Sequence, residues 1–96
     1  MMPTKEQAIT ALTLVADPEL QLDIWTLGLV YGVECEGKIV KITMTFTSPF
    51  CPYGPELVEQ VKTELEKIGF TECQVDVVFS PVWKPSEEVK MLLGLG

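Results

Sequence analysis

The sequence predicts a small two-layer α/β (α+β) domain, with elements in the order α-β-β-α-β-α and a mixed three-stranded sheet. First, apolar and polar residues alternate on both sides of the Glu36-Gly37 dipeptide, which is typical of a hairpin. Second, two other stretches carry apolar residues at helical spacing. Third, the 96 residues are 47% hydrophobic and 22% charged, which suffices for one core. We therefore expect a single domain over residues 1–96.

The first helix is predicted from its N-terminal cap. Thr4 and Gln7 form a capping-box pattern, in which each side chain satisfies a backbone amide of the first turn. Apolar residues then share one helix face at Ile9, Leu12 and Val15 or Ala16. Because a residue before proline avoids the α region, we expect the helix to end at Asp17-Pro18.

The two hairpin strands are predicted from period-two alternation. The first strand has one face that carries Leu29, Tyr31, Val33 and Cys35. The second strand runs from Lys38 to about Thr47. One of its faces carries Val40, Ile42, Met44 and Phe46, and the other carries Lys41, Thr43, Thr45 and Thr47. This alternation predicts a sheet with one packed face and one polar face.

The second half of the chain predicts a loop, a helix, a strand and a last helix. Residues 48–55 hold three prolines and a glycine, so they form a loop. The next helix runs from about Pro55 to Gly69, with an apolar stripe of Leu57, Val61, Leu65 and Ile68. A strand over about 72–79 places on one face Cys73, Val75, Val77 and Phe79. Ser86 caps a helix from Glu87 to about Leu93. The crossover makes the second and third strands parallel, with right-handed connection.

The composition excludes several classes of function. The net charge is −7, from fourteen acidic residues and seven lysines, and the chain has neither arginine nor histidine. Nucleic-acid binding is not expected, because phosphate neutralisation needs a basic patch. Cys–His and Ser–His catalysis are unavailable, and no glycine-rich phosphate loop is present. We therefore expect a protein that is not an enzyme.

The hydropathy and the cysteine usage predict a location. No apolar run approaches the roughly 20 residues that span a bilayer. Three cysteines without paired spacing do not form a secreted disulfide framework. We expect a cytoplasmic protein that makes no membrane contact.

Cys51 is the residue that best fits a chemical role. It lies between a strand and a helix start, where the helix dipole favours the thiolate that binds metal or attacks an electrophile. Pro52 and Pro55 stiffen its loop and hold the sulfur outward. The alternative is a buried loop cysteine that acts as a small hydrophobe. Cys35 and Cys73 are in phase with apolar strand residues, so we expect both to pack in the core.

Four polar residues are candidate neighbours of this thiol. Asp17, Glu19 and Asp23 form an acidic trio in the first connection. They orient a loop near Cys51 or supply oxygen ligands, or, alternatively, they end the helix and form Asx-type turns. Thr47 donates a hydrogen bond to the sulfur or is simply a β-branched residue on the polar strand face. Four aromatic residues outside the periodic core form a docking patch or cover the core: Trp25, Phe50, Tyr53 and Trp83.

An ordered set of motifs spans about residues 5–93. It comprises Asp17-Pro18-Glu19-Leu20, Asp23-Ile24, Leu27-Gly28-Leu29-Val30-Tyr31, Met44-Thr45-Phe46-Thr47-Ser48-Pro49, Cys51-Pro52 and Pro81-Val82-Trp83. This set resembles the iron–sulfur cluster assembly family that includes the SufT-type and PaaD-type proteins. The lack of a C-terminal cysteine-rich extension favours the short, SufT-like branch. One departure is Tyr53-Gly54-Pro55, whose extra helix breaker predicts a late start of the second helix.

The resemblance implies a role in iron–sulfur protein maturation. It implies that Cys51 is the functional thiol and metal ligand, and that its neighbours are Asp17, Glu19, Asp23 and Thr47. Because a cluster commonly takes about four thiolates, one cysteine would hold a labile cluster only at a homodimer or partner interface. The implied partners are iron–sulfur assembly proteins or client apoproteins, and the chain would carry a cluster or adapt a carrier to its client. A metal-free adaptor domain and a thiol-based redox protein remain the alternatives.

Overall fold

The computed structural model describes residues 3–18, 21–47, 54–80, 83–84, 86–92 and 94. Within these residues the chain forms helices and strands in the predicted order. The elements are α1 (Lys5–Leu12), β1 (Val30–Glu36), β2 (Ile39–Met44), α2 (Gly54–Lys67), β3 (Glu72–Val77) and α3 (Glu87–Leu92). The predicted α/β architecture is confirmed.

Strand β2 is the centre of the sheet, whose strand order is β1-β2-β3. It pairs antiparallel with β1 through the hairpin and parallel with β3 across the α2 crossover, as predicted. On one face of β2, Val40, Ile42 and Met44 are fully buried. Helices α1 and α2 pack against each other and contribute to the same core, so the helices cover one face of a mixed sheet.

Strand β1 contains an irregularity that alternation does not predict. Its register against β2 shifts by one residue between Val30 and Gly32, which inserts Tyr31 as a β-bulge. Tyr31 is 37% exposed, whereas Val33 is buried. The prediction that Tyr31 shares the apolar face is therefore wrong, because an inserted residue changes the phase of the alternation.

Helix α1 ends earlier than the proline rule predicts. Its capping box is confirmed, since Thr4 Oγ1 accepts the Gln7 N–H at 3.2 Å and Gln7 Oε1 accepts the Thr4 N–H at 2.9 Å. The helix ends at Leu12 and Thr13 is its C-cap. The N–H groups of Leu14 and Val15 then donate to the carbonyls of Ala11 and Leu12, three residues earlier, as in a 3₁₀ turn. The predicted end at Asp17 is wrong, because this tighter last turn terminates the helix first.

Helix α2 begins at Gly54, so the predicted start near Pro55 is confirmed and the extra breaker does not delay it. The buried residues of its apolar stripe are Leu57, Val61 and Leu65. Ile68 follows the last helical residue and is 36% exposed. Its predicted place in the stripe is wrong, because the chain leaves the helix there and turns at Gly69, whose φ is 115°.

Strands β2 and β3 are shorter than predicted and end at Met44 and Val77. Thr45 is 1% exposed, so its predicted place on the polar face is wrong. The regular alternation stops with the strand, and Thr45 turns inward after it. Phe79, which was predicted to extend β3, is 46% exposed beyond the strand end.

The last helix is confirmed with its cap. Ser86 Oγ accepts the backbone N–H of Val89 at 3.2 Å, and Val89 is the buried residue of α3. Across the described ranges, no helix combines the length and apolar content that a membrane crossing requires.

Candidate functional site

Three of the five predicted site residues fall within the described part of the chain. Asp17 and Asp23 lie in the connection between α1 and β1, and Thr47 lies just after β2. Cys51 and Glu19 lie outside the described residues, so their roles stay predictions. The residues on both sides of them define the surroundings in which they act.

The segment that carries Cys51, termed the cysteine loop, lies between Phe46 and Gly54, and these two flanking residues are in contact. Phe46 follows β2 and Gly54 begins α2, so the two residues flank the loop. A Cβ added at position 54 would lie 2.6 Å from Phe46 Cε2 and 2.9 Å from its Cζ. Glycine is therefore required for the ring to approach the helix backbone this closely. The contact holds the strand end and the helix start together.

The Phe46 ring also contacts the end of β3. Its centroid lies 6.2 Å from that of Phe79, with the ring planes at 63°, which is an edge-to-face arrangement. The aromatic pair thus joins the ends of β2 and β3 beside the start of α2. The base of the cysteine loop is a packed junction of three elements.

The acidic connection before β1 is organised by its own backbone and by one carboxylate. An isolated bridge joins Ala16 to Asp23, and the N–H of Asp17 donates to the Leu22 carbonyl at 2.9 Å. Asp23 Oδ2 accepts the N–H of Thr26 at 2.8 Å. This is an Asx-type hydrogen bond of the kind predicted as the alternative to a ligand role, and the ligand role of Asp23 stays a prediction.

Asp17 is only 1% exposed, which is rare for a carboxylate. Its carbonyl accepts the N–H of Gln21 at 2.8 Å, at a point where Gln21 has a φ of 60°. Among the described residues no buried side-chain oxygen or nitrogen lacks a partner, and Asp17 itself is not free. Burial removes this carboxylate from direct contact with solvent. Its predicted place beside Cys51 stays a prediction.

The acidic connection and the cysteine loop meet at the same end of the sheet. Leu29 donates its N–H to the Ile24 carbonyl at 3.0 Å, and its carbonyl accepts the Thr45 N–H at 2.8 Å. Thr47 follows two residues after Thr45 and is half-buried. The chain therefore enters the cysteine loop beside the last residues of the connection that contains Asp23.

Trp83 ties the segment after β3 to this connection. Its Nε1–H donates to the Leu27 carbonyl at 2.7 Å, and its ring is half-buried. Trp25 is instead 40% exposed. The aromatic residues were predicted either to form a docking patch or to cover the core. Trp83 covers the core, whereas Trp25 is exposed, as a docking residue would be. The predictions for Phe50 and Tyr53 concern residues outside the described ranges.

The other two cysteines pack in the sheet, as predicted. Cys35 and Cys73 are half-buried against the core and pair with Val40 from opposite sides of β2. Two strand spacings place their Cα atoms roughly 10 Å apart, beyond the limit of about 7 Å for a disulfide. Desolvation by burial raises the pKa of both thiols, which Lys5 near Cys35 and Lys62 near Cys73 partly oppose. Both are therefore poor sources of thiolate at neutral pH.

The described residues do not form a metal centre by themselves. Within those ranges, no group of three or more histidine, cysteine, aspartate or glutamate side chains is arranged to hold an ion. The prediction that Cys51 is a metal ligand falls on a residue outside these ranges and stays a prediction.

Sequence reasoning missed the part that Phe46 and Gly54 play in the site. Phe46 was assigned only to a strand face, and Gly54 only to a helix break. The available signal was the glycine between Tyr53 and Pro55 at a helix start, because a missing side chain often marks the close approach of another group.

Residues 5–77 match the model of the family described as iron-sulfur cluster assembly protein. The chain belongs to this family. It is 41% identical over 87 residues to the Fe-S protein maturation auxiliary factor SufT of Staphylococcus aureus, covering 85% of this chain and 99% of that protein. It is 42% identical over 96 residues to the Fe-S protein maturation auxiliary factor YitW of Bacillus subtilis, covering 95% and 94%. The resemblance to the SufT-like branch is confirmed.

A solved structure shows the same fold. The domain of unknown function DUF59 from Bacillus anthracis has a TM-score of 0.86 at 37% identity, covering 96% of this chain and 92% of that chain. The structural similarity extends beyond residue 77, where the family match ends, and so includes the segment that carries Trp83 and α3.

Proposed function

We propose that this chain is a maturation factor for iron–sulfur proteins and that Cys51 is its working thiol. Family membership and the similar maturation auxiliary factors support the general role. The assignment to Cys51 is carried by the contrast among the three cysteines. Cys35 and Cys73 are packed in the sheet with a raised pKa, whereas Cys51 precedes the first residue of α2 by three positions. The third thiol is thus the one available for chemistry.

The start of α2 supports a thiolate at this position. The positive end of a helix dipole lowers the pKa of a thiol within about one turn, although Glu56 in the first turn offsets part of this effect. The Phe46–Gly54 contact fixes the helix start relative to the strand end, so the dipole points at the loop from a defined place. A thiol three residues before this helix start is therefore expected to favour the thiolate.

The cluster is best described as cargo. An iron–sulfur cluster commonly takes about four thiolates, and this chain offers one. The remaining ligands come from a second copy, an assembly protein or a client apoprotein. Because each side supplies few ligands, the cluster leaves easily, which suits transfer and not storage.

Anaerobic reconstitution with ferrous iron and sulfide tests the carrier function. Wild type is compared with Cys51→Ser, and Cys35→Ser and Cys73→Ser serve as matched controls. We expect bound iron and sulfide to fall to background in Cys51→Ser and to persist in both controls. Equal binding by wild type and Cys51→Ser, or none in either, would contradict a cluster carried on Cys51. Native mass measurement of the loaded protein shows whether a second copy takes part.

A metal-free adaptor is the second candidate function, and the exposed Trp25 favours it. Trp25 borders a shallow groove of about 180 Å³ whose lining includes Lys5, Val30 and Tyr31. Binding to a purified cluster carrier that is lost in Trp25→Ala but retained in Cys51→Ser would support the adaptor. The opposite pattern would support the carrier.

A further inference from the structure

The outer edge of β3 is a second feature of the sheet, separate from the cysteine loop. Within the described residues the sheet ends at β3, which pairs only with β2. The N–H of Glu72 donates to the Lys38 carbonyl at 3.3 Å, and the N–H of Val78 donates to the Met44 carbonyl at 2.8 Å. Because the backbone groups of a strand alternate in direction, the even-numbered residues bond to β2. The outward-pointing groups belong to Cys73, Val75 and Val77.

These outward groups are open to an added strand. No backbone hydrogen bond within the described ranges uses them outside the ladder with β2. The opposite edge of the sheet differs, since β1 carries the bulge at Tyr31, and bulges protect an edge from regular pairing. The six residues of β3 are in continuous register with β2. Of the two edges, β3 is the one that a regular strand fits.

The side chains on the helix side show that this edge is incompletely covered. Val75 and Val77 are in register with Ile42 and Met44 of the central strand. The two β2 residues are fully buried, but Val75 and Val77 are only half-buried. An apolar residue on an added strand would cover their remaining exposed sides.

The side chains on the open face favour a cationic occupant. Glu72, Gln74 and Asp76 alternate along this face and are all exposed. Asp76 pairs with Lys41 at 3.5 Å, while no ion pair among the described residues involves Glu72. The chain as a whole carries a net charge of −7. Positive side chains at alternate positions of an added strand would lie beside Glu72 and Asp76 and complement their negative charge.

A second copy of this chain offers the edge no cation, because the open face of β3 carries Glu72, Gln74 and Asp76. In the antiparallel register centred on Gln74, Glu72 of one copy lies opposite Asp76 of the other, and like charges directly opposite each other destabilise a strand pair. A cationic strand from a different molecule therefore fits this edge better than a second copy does.

We propose that the outer edge of β3 binds an extended segment of a partner protein in which lysine or arginine alternates with apolar residues. The segment adds a fourth strand through main-chain hydrogen bonds to Cys73, Val75 and Val77. Its cationic side chains lie beside Glu72 and Asp76, and its apolar side chains cover the two valines. This surface goes beyond the proposed function, because it does not involve the cysteine loop.

Residue-resolved amide exchange tests the open edge on the isolated chain. We expect the amides of Cys73 and Val75 to exchange at least about tenfold faster than those of Gln74 and Asp76, which bond to β2. The probe is a synthetic eight-residue peptide that alternates lysine and valine and is blocked at both ends. Its addition should slow the exchange of the fast amides. Slow exchange of the Cys73 and Val75 amides in the absence of peptide would overturn the proposal. Protection of these amides that appears as the protein concentration rises would also overturn it, because it would indicate self-association.

Matched peptides and variants separate strand addition from simple charge attraction. The same peptide with N-methyl groups at alternate positions keeps its charge but cannot pair, so it should not protect the edge. Glu72→Lys should weaken binding of the parent peptide by about fivefold, whereas Glu59→Lys, an equal charge change on α2, should stay within about twofold. Equal weakening by both variants, or equal binding of the N-methylated peptide, would contradict the proposal.

Discussion

The two ends of the three-stranded sheet differ in how closely distant segments meet. At the end that leads into the cysteine loop, the Phe46 ring packs on the backbone of Gly54, and Trp83 bonds the Leu27 carbonyl at 2.7 Å. At the hairpin end, an added Cβ at Gly37 would meet nothing within 4 Å. The loop end is thus joined by side-chain packing and by a side-chain hydrogen bond. At the hairpin end the distant segment meets the turn through backbone hydrogen bonds instead, since Thr71 and Glu72 donate their N–H groups to the Lys38 carbonyl.

The cysteines follow the same division. Cys35 and Cys73 lie towards the hairpin end, opposite Val40, where desolvation keeps them as neutral thiols. Cys51 lies in the sequence between the end of β2 and the start of α2, and the thiolate proposed for it stays a prediction.

The largest expected effect on this comparison is that of Gly54→Ala at the loop end. We expect a loss of about 2 kcal/mol in unfolding free energy, because overpacking costs about 1–3 kcal/mol and the better helix propensity of alanine returns only part. Urea denaturation measures it. Gly32→Ala is the control, since its Cβ would meet Thr43 at an ordinary 3.7 Å. Equal losses of unfolding free energy in Gly54→Ala and Gly32→Ala would show that packing around position 54 is no tighter than packing around position 32.

The next largest effect is on thiol reactivity in variants that keep one cysteine each. At pH 8 we expect Cys51 to react with a thiol reagent about tenfold faster than Cys35 or Cys73, because a raised pKa lowers the thiolate fraction. The titration midpoints of Cys35 and Cys73 should lie above that of a free cysteine, because burial raises the pKa of both thiols. Because the folded pKa of each thiol lies above its unfolded pKa, the contribution of the neutral thiol to stability is fully present below the unfolded pKa. This contribution is lost as pH rises through the folded pKa. A Cys51 midpoint at or above the free value of about 8.5 would contradict both the helix-start argument and the redox alternative.

A smaller effect is expected for Trp83→Phe, which keeps a ring but removes the donor to the Leu27 carbonyl. The lost hydrogen bond should cost about 1 kcal/mol in unfolding free energy. Trp25→Phe is the matched control and should change stability by less than about 0.5 kcal/mol, because this side chain is exposed. Equal losses of unfolding free energy in both variants would show that the hydrogen bond from Trp83 to the Leu27 carbonyl does not contribute measurably to stability.

The smallest effect is expected on the open face of the sheet. Asp76→Asn removes the pair with Lys41, whose side chains are 46% and 55% exposed. Such a pair contributes at most about 0.5 kcal/mol, and the difference from wild type should shrink in high salt. A salt-independent loss above about 1 kcal/mol would show that this face contributes more to stability than its exposure suggests.

Most of the fold was predictable where local chemistry and long-range packing agree. The capping box at Thr4, the cap at Ser86 and the mixed sheet followed from patterns that tertiary contacts do not override. The sequence predictions were wrong where an inserted residue changes the phase of a strand's alternation, or where a tighter turn ends a helix early. Tyr31 forms a bulge within an alternating strand, and α1 ends at Leu12 although the apolar spacing continues.

The candidate site was less predictable because its parts come from separate segments. Thr47 and Asp23 could be named from sequence, but their place at one end of the sheet depends on the Leu29–Thr45 hydrogen bond. The Asx turn of Asp23 was one of two local alternatives, and the hydrogen bond to Thr26 establishes it. Sequence alone does not measure such contacts.

The sequence by itself determined the order of elements, the caps of the first and last helices, and the face of β2 that carries Val40, Ile42 and Met44. These depend on periods of 2 and about 3.6 residues and on short-range capping, which act between near neighbours. Only the tertiary structure decided that Phe46 requires glycine at position 54, that Trp83 covers the core while Trp25 is exposed, and that β3 is an edge strand within the described residues. Those properties arise from steric and hydrogen-bonding contacts between separate elements of the fold, which no local pattern encodes.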